Sequence, residues 1–341
     1  MIFLHLLKNS SCSKMSLENG TKEAKFVYHN TNEWLKQNRE HFKPPVCNYL
    51  MHGAGRLKVM YVGGPNIRKD FHLQEGEEFF YMIKGDMNLI ILENGKFRDV
   101  IIKEGEAFHL PGKIPHSPQR FADTMGLVIE RERMLQEQDC VRYFVGDTTE
   151  TLYEEWFYCE DLGTQLGPVI KRYFASEQHK TGKPIPGTIT ETPPFVPDSE
   201  RFTEKPFHLR TWIKENLAKL ESAGRLRLWD TSYQSDVLAL GEGADIDVAT
   251  VDEETWLLQL VGTSSVEVEG QRTELQEDDS VLIRAHAVYS HYRPKGCVCL
   301  YVQMPWASKT RAWSSTKNAN KEFVAKCCGK TEIEPANTKK I

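Results

Sequence analysis

His72, Glu78 and His116 have the types and spacing to hold a metal ion. His72 and Glu78 bracket the stretch HLQEGEE, and an apolar run, FFYMI, follows at once. His116 comes after Gly105 and Pro111, at the end of a tight Pro-Gly turn. Two imidazoles and a carboxylate meeting on one face of a metal leave open positions, as in the facial triads of non-haem Fe(II) oxygenases. Taken singly, each of the three reads as a polar residue on a barrel rim. Glu78 is the exception in cost, because a carboxylate entering a buried strand wants a cation or an ion partner. Glu75 and Glu77 are expected to face solvent or pair with Lys/Arg around a turn at Gly76. Arg68 and Arg120 read equally as surface arginines or as partners of Glu75, Glu77 or Asp70. Glu130 opens an E-R-E-R run, a pattern that usually marks a solvated face. By alternation it lies on the face of Val128, opposite Leu127 and Ile129. Phe80 and Met82 share the face of Glu78, as pocket lining or barrel core. His109 is expected to be a packed strand histidine and His52 a loop residue.

The elements that must position these groups are strands. KVMYVG, EFFYMIKG, NLIILE, FRDVII, EAFHLP and MGLVIE are short apolar runs at near-regular spacing between residues 58 and 130. The turn ENGK, residues 93–96, is a strong hairpin signal. This pattern predicts an antiparallel barrel or jelly roll. Residues 28–60 mix helix and loop signals, and residues 146–180 read as one or two helices. Residues 182–203 are proline-rich and predict a stiff, extended linker. A second β-rich stretch follows, with strands in DVLALGEG, TWLLQLVG, SSVEVEG, DSVLIRA and CVCLYVQMP. EFFYMIKGDMNLII resembles TWLLQLVGTSSVEV, and FHLPGKIPHSP resembles LIRAHAVYSHYRP, so the chain reads as an internal duplication. In the second copy Thr255 falls at the place of Glu78 and His291 at that of His116, with His286 nearby. No histidine matches His72, so this copy is expected to be metal-free and structural. The expected organisation is an N-terminal extension (1–24), a catalytic domain (25–181), the linker (182–203), a degenerate domain (204–306) and a basic, disordered tail (307–341).

A length of 341 residues suits two domains. A net charge of −5 gives no reason to expect nucleic-acid or membrane-surface binding. No apolar run is long enough to span a membrane. The apolar start MIFLHLLKNSSC is broken by His5 and is not expected to be a signal peptide; Met15 is a candidate alternative start. Eight scattered cysteines without a CxxC pair imply reduced intracellular thiols and no structural zinc.

The spacing resembles the two cupin motifs. The first falls on HLQEGEEFFYMIKG, with Asn66 where a glycine is common and Gln74 in place of the usual second histidine. The second falls on GEAFHLPGKIPHSPQR, with Lys113 where glycine and Arg120 where asparagine are common. Longer stretches, VGGPNIRKDFH, EGEEFFYMIKGDM, LPGKIPHSPQRFADTMGLVIER and WFYCEDLGTQLGP, resemble the 3-hydroxyanthranilate 3,4-dioxygenase family in its animal-type, two-barrel form. The resemblance implies an all-β-dominated fold of two cupin jelly-roll barrels with a few helices. It implies Fe(II) held by His72, Glu78 and His116, a substrate carboxylate bound by Arg68 and Arg120, and a substrate-contacting, catalytic Glu130. The implied reaction opens 3-hydroxyanthranilate with O2 to 2-amino-3-carboxymuconate semialdehyde, the precursor of quinolinate in the kynurenine route to NAD. A cytoplasmic monomer is expected. The competing readings are another metal-dependent cupin enzyme acting on a small carboxylated aromatic, and a non-catalytic metal-binding cupin.

Overall fold

Strands rich in β-branched and aromatic residues form where both faces can be buried, and the central strands of this chain are buried on both. A computed structural model describes residues 24–42, 47–66, 68–250 and 252–305. Almost all of the expected N-terminal extension, and the expected basic tail, lie outside the described residues.

Two antiparallel jelly-roll barrels, each made of two sheets, carry the fold. In the first barrel one sheet runs Phe207–His208, Glu106–Leu110, Glu78–Lys84, Met125–Arg131, Leu57–Gly63, Asn48–His52. The facing sheet runs Thr151–Phe157, Asp139–Phe144, Phe71–Leu73, His116–Arg120, Met87–Glu93, Lys96–Ile102. The second barrel repeats the first order with Phe26–Asn30, Asp279–Ile283, Thr255–Val261, Val298–Gln303, Asp236–Leu240 and Arg225–Arg227. Its other sheet has only Gly243–Ala249, Val288–Arg293, Ser264–Val268 and Gln271–Leu275. Every strand expected from the sequence has its counterpart here. The hairpin at 93–96 turns on Asn94 and Gly95, both at positive φ as its type requires.

Alternation sorts the cores. Glu78, Phe80 and Met82 face the interior of the first barrel, with Met60, Val62, Leu89 and Ile91. Phe79 faces the other way, where Val59, Tyr61, Leu127 and Ile129 meet Trp256, Leu258, Leu282 and Leu300 of the second barrel in one shared cluster. The interior of the second barrel is filled by Leu257, Val266, Val281, Ile283 and Tyr289.

Several expectations change. The two helices, Leu162–Ala175 and Glu177–Thr181, are preceded by a strand, Thr151–Phe157, that the helical reading of 146–180 did not contain. The residues expected to form a linker are a strap on the first barrel. Phe195 packs edge-on against Trp156, and Glu93 accepts the Thr203 backbone N–H at 2.7 Å. Phe26–Asn30 pairs with the second barrel, and Phe207–His208 with the first, so the barrels exchange edge strands.

Candidate metal centre

His72 and His116 lie directly opposite each other, on strands Phe71–Leu73 and His116–Arg120, while Glu78 opens the strand across the barrel. The turn before His116 fixes this arrangement. The Lys113 N–H donates to the Gln74 carbonyl at 2.7 Å, which ties the turn to the HLQEGEE segment. A Cβ on Gly112 would sit 2.1 Å from the Glu75 carbonyl oxygen, so only glycine fits. Lys113 itself has φ +66°, which explains why glycine is common at that motif position. Its ammonium lies 3.4 Å from Glu75, as expected for that glutamate.

The ligating atoms of His72, Glu78 and His116 all lie within 4.8 Å of one another, and all three residues are buried. His116 Nδ1 donates to the Ile114 carbonyl at 3.0 Å, leaving Nε2 2.9 Å from Glu78 Oε1. His72 turns Nε2 to Asp139 Oδ2 at 2.8 Å and presents Nδ1 to Glu78 Oε1 at 4.0 Å. Such outer partners fix ring orientation and tautomer. Burial alone would raise the Glu78 carboxyl, but His116, with His72 and Arg133 behind it, holds it below the usual range. Burial would likewise lower His116, and Glu78 reverses that. The carboxylate thus draws positive charge into a dry site. A divalent cation between two imidazole nitrogens and one oxygen would satisfy all three groups. Among the described residues this is the one such group.

Arg120 is buried, and its backbone is clamped by Asn66. The Arg120 N–H donates to Asn66 Oδ1 at 2.6 Å, and the Asn66 N–H donates to the Arg120 carbonyl at 3.1 Å. Its guanidinium reaches Met87 Sδ at 3.5 Å. No carboxylate among the described residues pairs with it, and burial, then Arg68, push its pKa down to about 10. Arg68 instead grips Asp70, with Nε 3.1 and 3.2 Å from the two oxygens and a third contact through Nη2. Glu130 is 3% exposed and in register with Glu78. Glu130 is thus inside, against the solvated face that an E-R-E-R run usually marks, and Arg131 and Arg133 are buried too. Glu130 Oε1 accepts from Arg133 Nη1 at 2.6 Å, whereas Oε2 has no partner. A cavity of about 240 Å³ opens onto Glu130, lined also by Asn48, Lys58, Met60 and Leu162.

Two further expectations are corrected. Glu77 is 6% exposed and accepts the N–H groups of Gln234 and Ser235 at 2.8 and 2.9 Å and the Ser235 hydroxyl at 2.6 Å. It faces the second barrel, not solvent, because the second barrel covers the turn. His52 ends the strand Asn48–His52 and is buried, not a loop residue. Asp139 and Arg133 were not foreseen. Asp139 lies far from the motif in sequence, and only the pairing of Asp139–Phe144 with Phe71–Leu73 brings it to His72. Burial would raise its carboxyl, yet Arg133 and then His72 take it down to about 2.

The sequence model described as 3-hydroxyanthranilic acid dioxygenase matches residues 26–174. Bovine 3-hydroxyanthranilate 3,4-dioxygenase is 50% identical over 276 residues, covering 81% of this chain and 96% of that protein. The chain belongs to the 3-hydroxyanthranilate 3,4-dioxygenase family. The human family member is 49% identical over the same span, and that of Nematostella vectensis 45% identical over 270 residues, 79% of this chain and 96% of that protein. Among solved structures, a variant of salicylate 1,2-dioxygenase from Pseudoaminobacter salicylatoxidans in complex with gentisate superposes with a TM-score of 0.50 at 15% identity. It covers 82% of this chain and 83% of its own, and shares the fold. The 3-hydroxyanthranilate 3,4-dioxygenase relatives span 96% of their length on this chain, more than the first barrel alone supplies. Among the described residues no helix is long and apolar enough to cross a membrane.

Proposed function

We propose that this chain opens the ring of 3-hydroxyanthranilate with O2, giving 2-amino-3-carboxymuconate semialdehyde, on Fe(II) held by His72, Glu78 and His116. The observation that carries the assignment is the buried triad beside a buried guanidinium, Arg120, that has no carboxylate of its own. A small aromatic acid brings the missing anion, and a planar guanidinium receives a carboxylate two-pronged. Arg68, already committed to Asp70, adds positive charge near Arg120. The free Oε2 of Glu130 is the acceptor for the ring hydroxyl proton, while Arg133 keeps Oε1 in place. Phe80, Met82 and Val128 keep water from the reacting edge. When bound, Fe(II) supplies the redox link through which the aromatic ring reacts with dioxygen. Both oxygen atoms enter the product, so no external reductant is needed.

The same reading describes a cytoplasmic monomer. Cys47, Cys140, Cys159, Cys297 and Cys299 are buried free thiols, and the apolar faces of the barrels cover each other. The test is to load the protein anaerobically with Fe(II), add 3-hydroxyanthranilate and oxygen, and follow the absorbance of the semialdehyde. Turnover is expected, and His116→Ala is expected to lose both iron and turnover. An iron-loaded chain that leaves the substrate intact overturns the assignment.

A further inference from the structure

We propose that Arg133 is the positioning residue of the metal centre, holding His72 through Asp139, Glu78 through Gln74, and Glu130 directly. This rests on the metal-site reading above. Arg133 lies in the loop after strand Met125–Arg131, buried, and reaches three partners at once. Its Nε donates to Asp139 Oδ1 at 3.0 Å and Nη2 to Asp139 Oδ2 at 2.9 Å, a two-pronged pair. Its Nη1 donates to Glu130 Oε1 at 2.6 Å. Nη2 also meets Gln74 Oε1.

Each partner passes the constraint inward. Asp139 Oδ2 receives His72 Nε2 at 2.8 Å, which sets the ring so that Nδ1 faces Glu78. Gln74 can offer its oxygen to Arg133 only by turning its amide nitrogen inward, and that nitrogen donates to Glu78 Oε1 at 2.8 Å. Gln74 stands where cupins commonly place a second histidine. Here that position carries a relay from Arg133 to the carboxylate ligand. The loop that presents Arg133 is itself locked. Arg131 forks onto Glu137 with two bonds of 2.6 Å, and Glu137 accepts the Met134 N–H at 2.7 Å. A guanidinium spreads five N–H donors over a planar fork that spans three separate acceptors, whereas a lysine ammonium gathers its three donors on one nitrogen. One guanidinium therefore couples two metal ligands to the proton acceptor, so the ligand set and Glu130 are placed by a single loop.

The test uses the full-length chain and Co(II), whose visible absorption reports ligand arrangement without turnover. Arg133→Lys keeps the charge and loses the fork. Its affinity for Co(II), by chelator competition, is expected to fall by about 10–100-fold, the usual cost of losing a partner behind a metal ligand. The Co(II) spectrum is expected to change while the metal-free thermal midpoint stays near that of the unaltered protein. With substrate, kcat is expected to fall more than KM rises, because Arg120 still holds the carboxylate. If Arg133→Lys does not fold, Asp139→Asn decides by the same affinity and spectrum, since it breaks the arm from Arg133 to His72 while leaving the bonds of Arg133 to Glu130 and Gln74 in place. Unaltered affinity and spectrum overturn the proposal. So does a loss of affinity that merely tracks a loss of thermal midpoint with the spectrum preserved. A Co(II)-binding, Fe(II)-loaded chain without turnover would sink the dioxygenase reading and leave this proposal standing; an unaltered chain that binds no Co(II) sinks both.

Discussion

The arginines of the site differ in one respect that decides their roles. Arg68 already owns a carboxylate and Arg120 does not. In the proposed site, removing Arg120 would cost the substrate its unshared partner while His72, Glu78 and His116 keep theirs. Arg120→Ala is expected to retain metal and to weaken substrate binding by about 100-fold, on the order of 3 kcal/mol for a desolvated charge-assisted pair. Metal content together with KM checks this, and unchanged KM would remove Arg120 from the site. Gly126 defends the same guanidinium. A Cβ there would stand 3.0 Å from both Arg120 Nη1 and Met82 Sδ. Gly126→Ala is expected to raise KM by displacing Arg120, with a stability loss of about 1 kcal/mol from overpacking. At this scale the sequence was informative wherever a motif spacing existed. His72, Glu78 and His116 were legible because their separations along the chain encode the turn and the strand crossing. Asp139 and Arg133 were not, because their link to the ligands runs through strand pairing and a loop, neither of which leaves a local pattern.

Elements were legible in proportion to their apolar content. Glu78–Lys84 and Thr255–Val261 announce themselves because both of their faces are covered. Thr151–Phe157 did not, because Glu154 and Glu155 interrupt it; they are matched by Arg142 and Arg172, which the sequence alone cannot pair with them. Strand Val288–Arg293 carries the histidine that the second stretch sets against His116. His291, aligned with His116, is fully buried, and its Nε2 meets the Ser264 hydroxyl at 3.1 Å. Burial and Arg293, against the opposing charge of Asp245, lower it from 6.5 to about 3. Because the folded value lies below the ordinary one, the unfolded chain binds the proton first. The stability from keeping His291 neutral is complete above pH 6.5 and is lost as pH falls towards 3. His52 and His109, lowered to about 3 and about 4, add to the same slope. His291→Gln removes its share. Between pH 6.5 and 4.5 the unaltered protein is expected to lose about 2–3 kcal/mol more than the variant. Denaturant titrations at the two pH values measure it, and parallel losses would show that His291 is protonated in the folded state.

At the scale of the molecule, the duplication is legible as two similar stretches, yet the barrels are not two independent folds. Phe26–Asn30 completes a sheet of the second barrel and Phe207–His208 a sheet of the first. A repeat search reads each copy as continuous in sequence and so cannot see the exchange. Between the barrels, Phe79, Leu127 and Ile129 share a core with Trp256, Leu258 and Leu300. Glu77, beside the ligand Glu78, is held by Gln234 and Ser235 of the other barrel. A first barrel cut at residue 203 would lose an edge strand, strand the Glu77 carboxylate without its three donors, and bare an apolar sheet face. Exposed edges and large apolar faces drive association. Residues 24–203 alone are therefore expected to aggregate or to bind a hydrophobic dye, and the whole chain to unfold in one transition in which both barrels lose structure together. A monodisperse first barrel that binds Co(II) as tightly as the full chain would show that the second barrel contributes nothing to the centre. Two separate unfolding transitions would show that the shared core does not couple them.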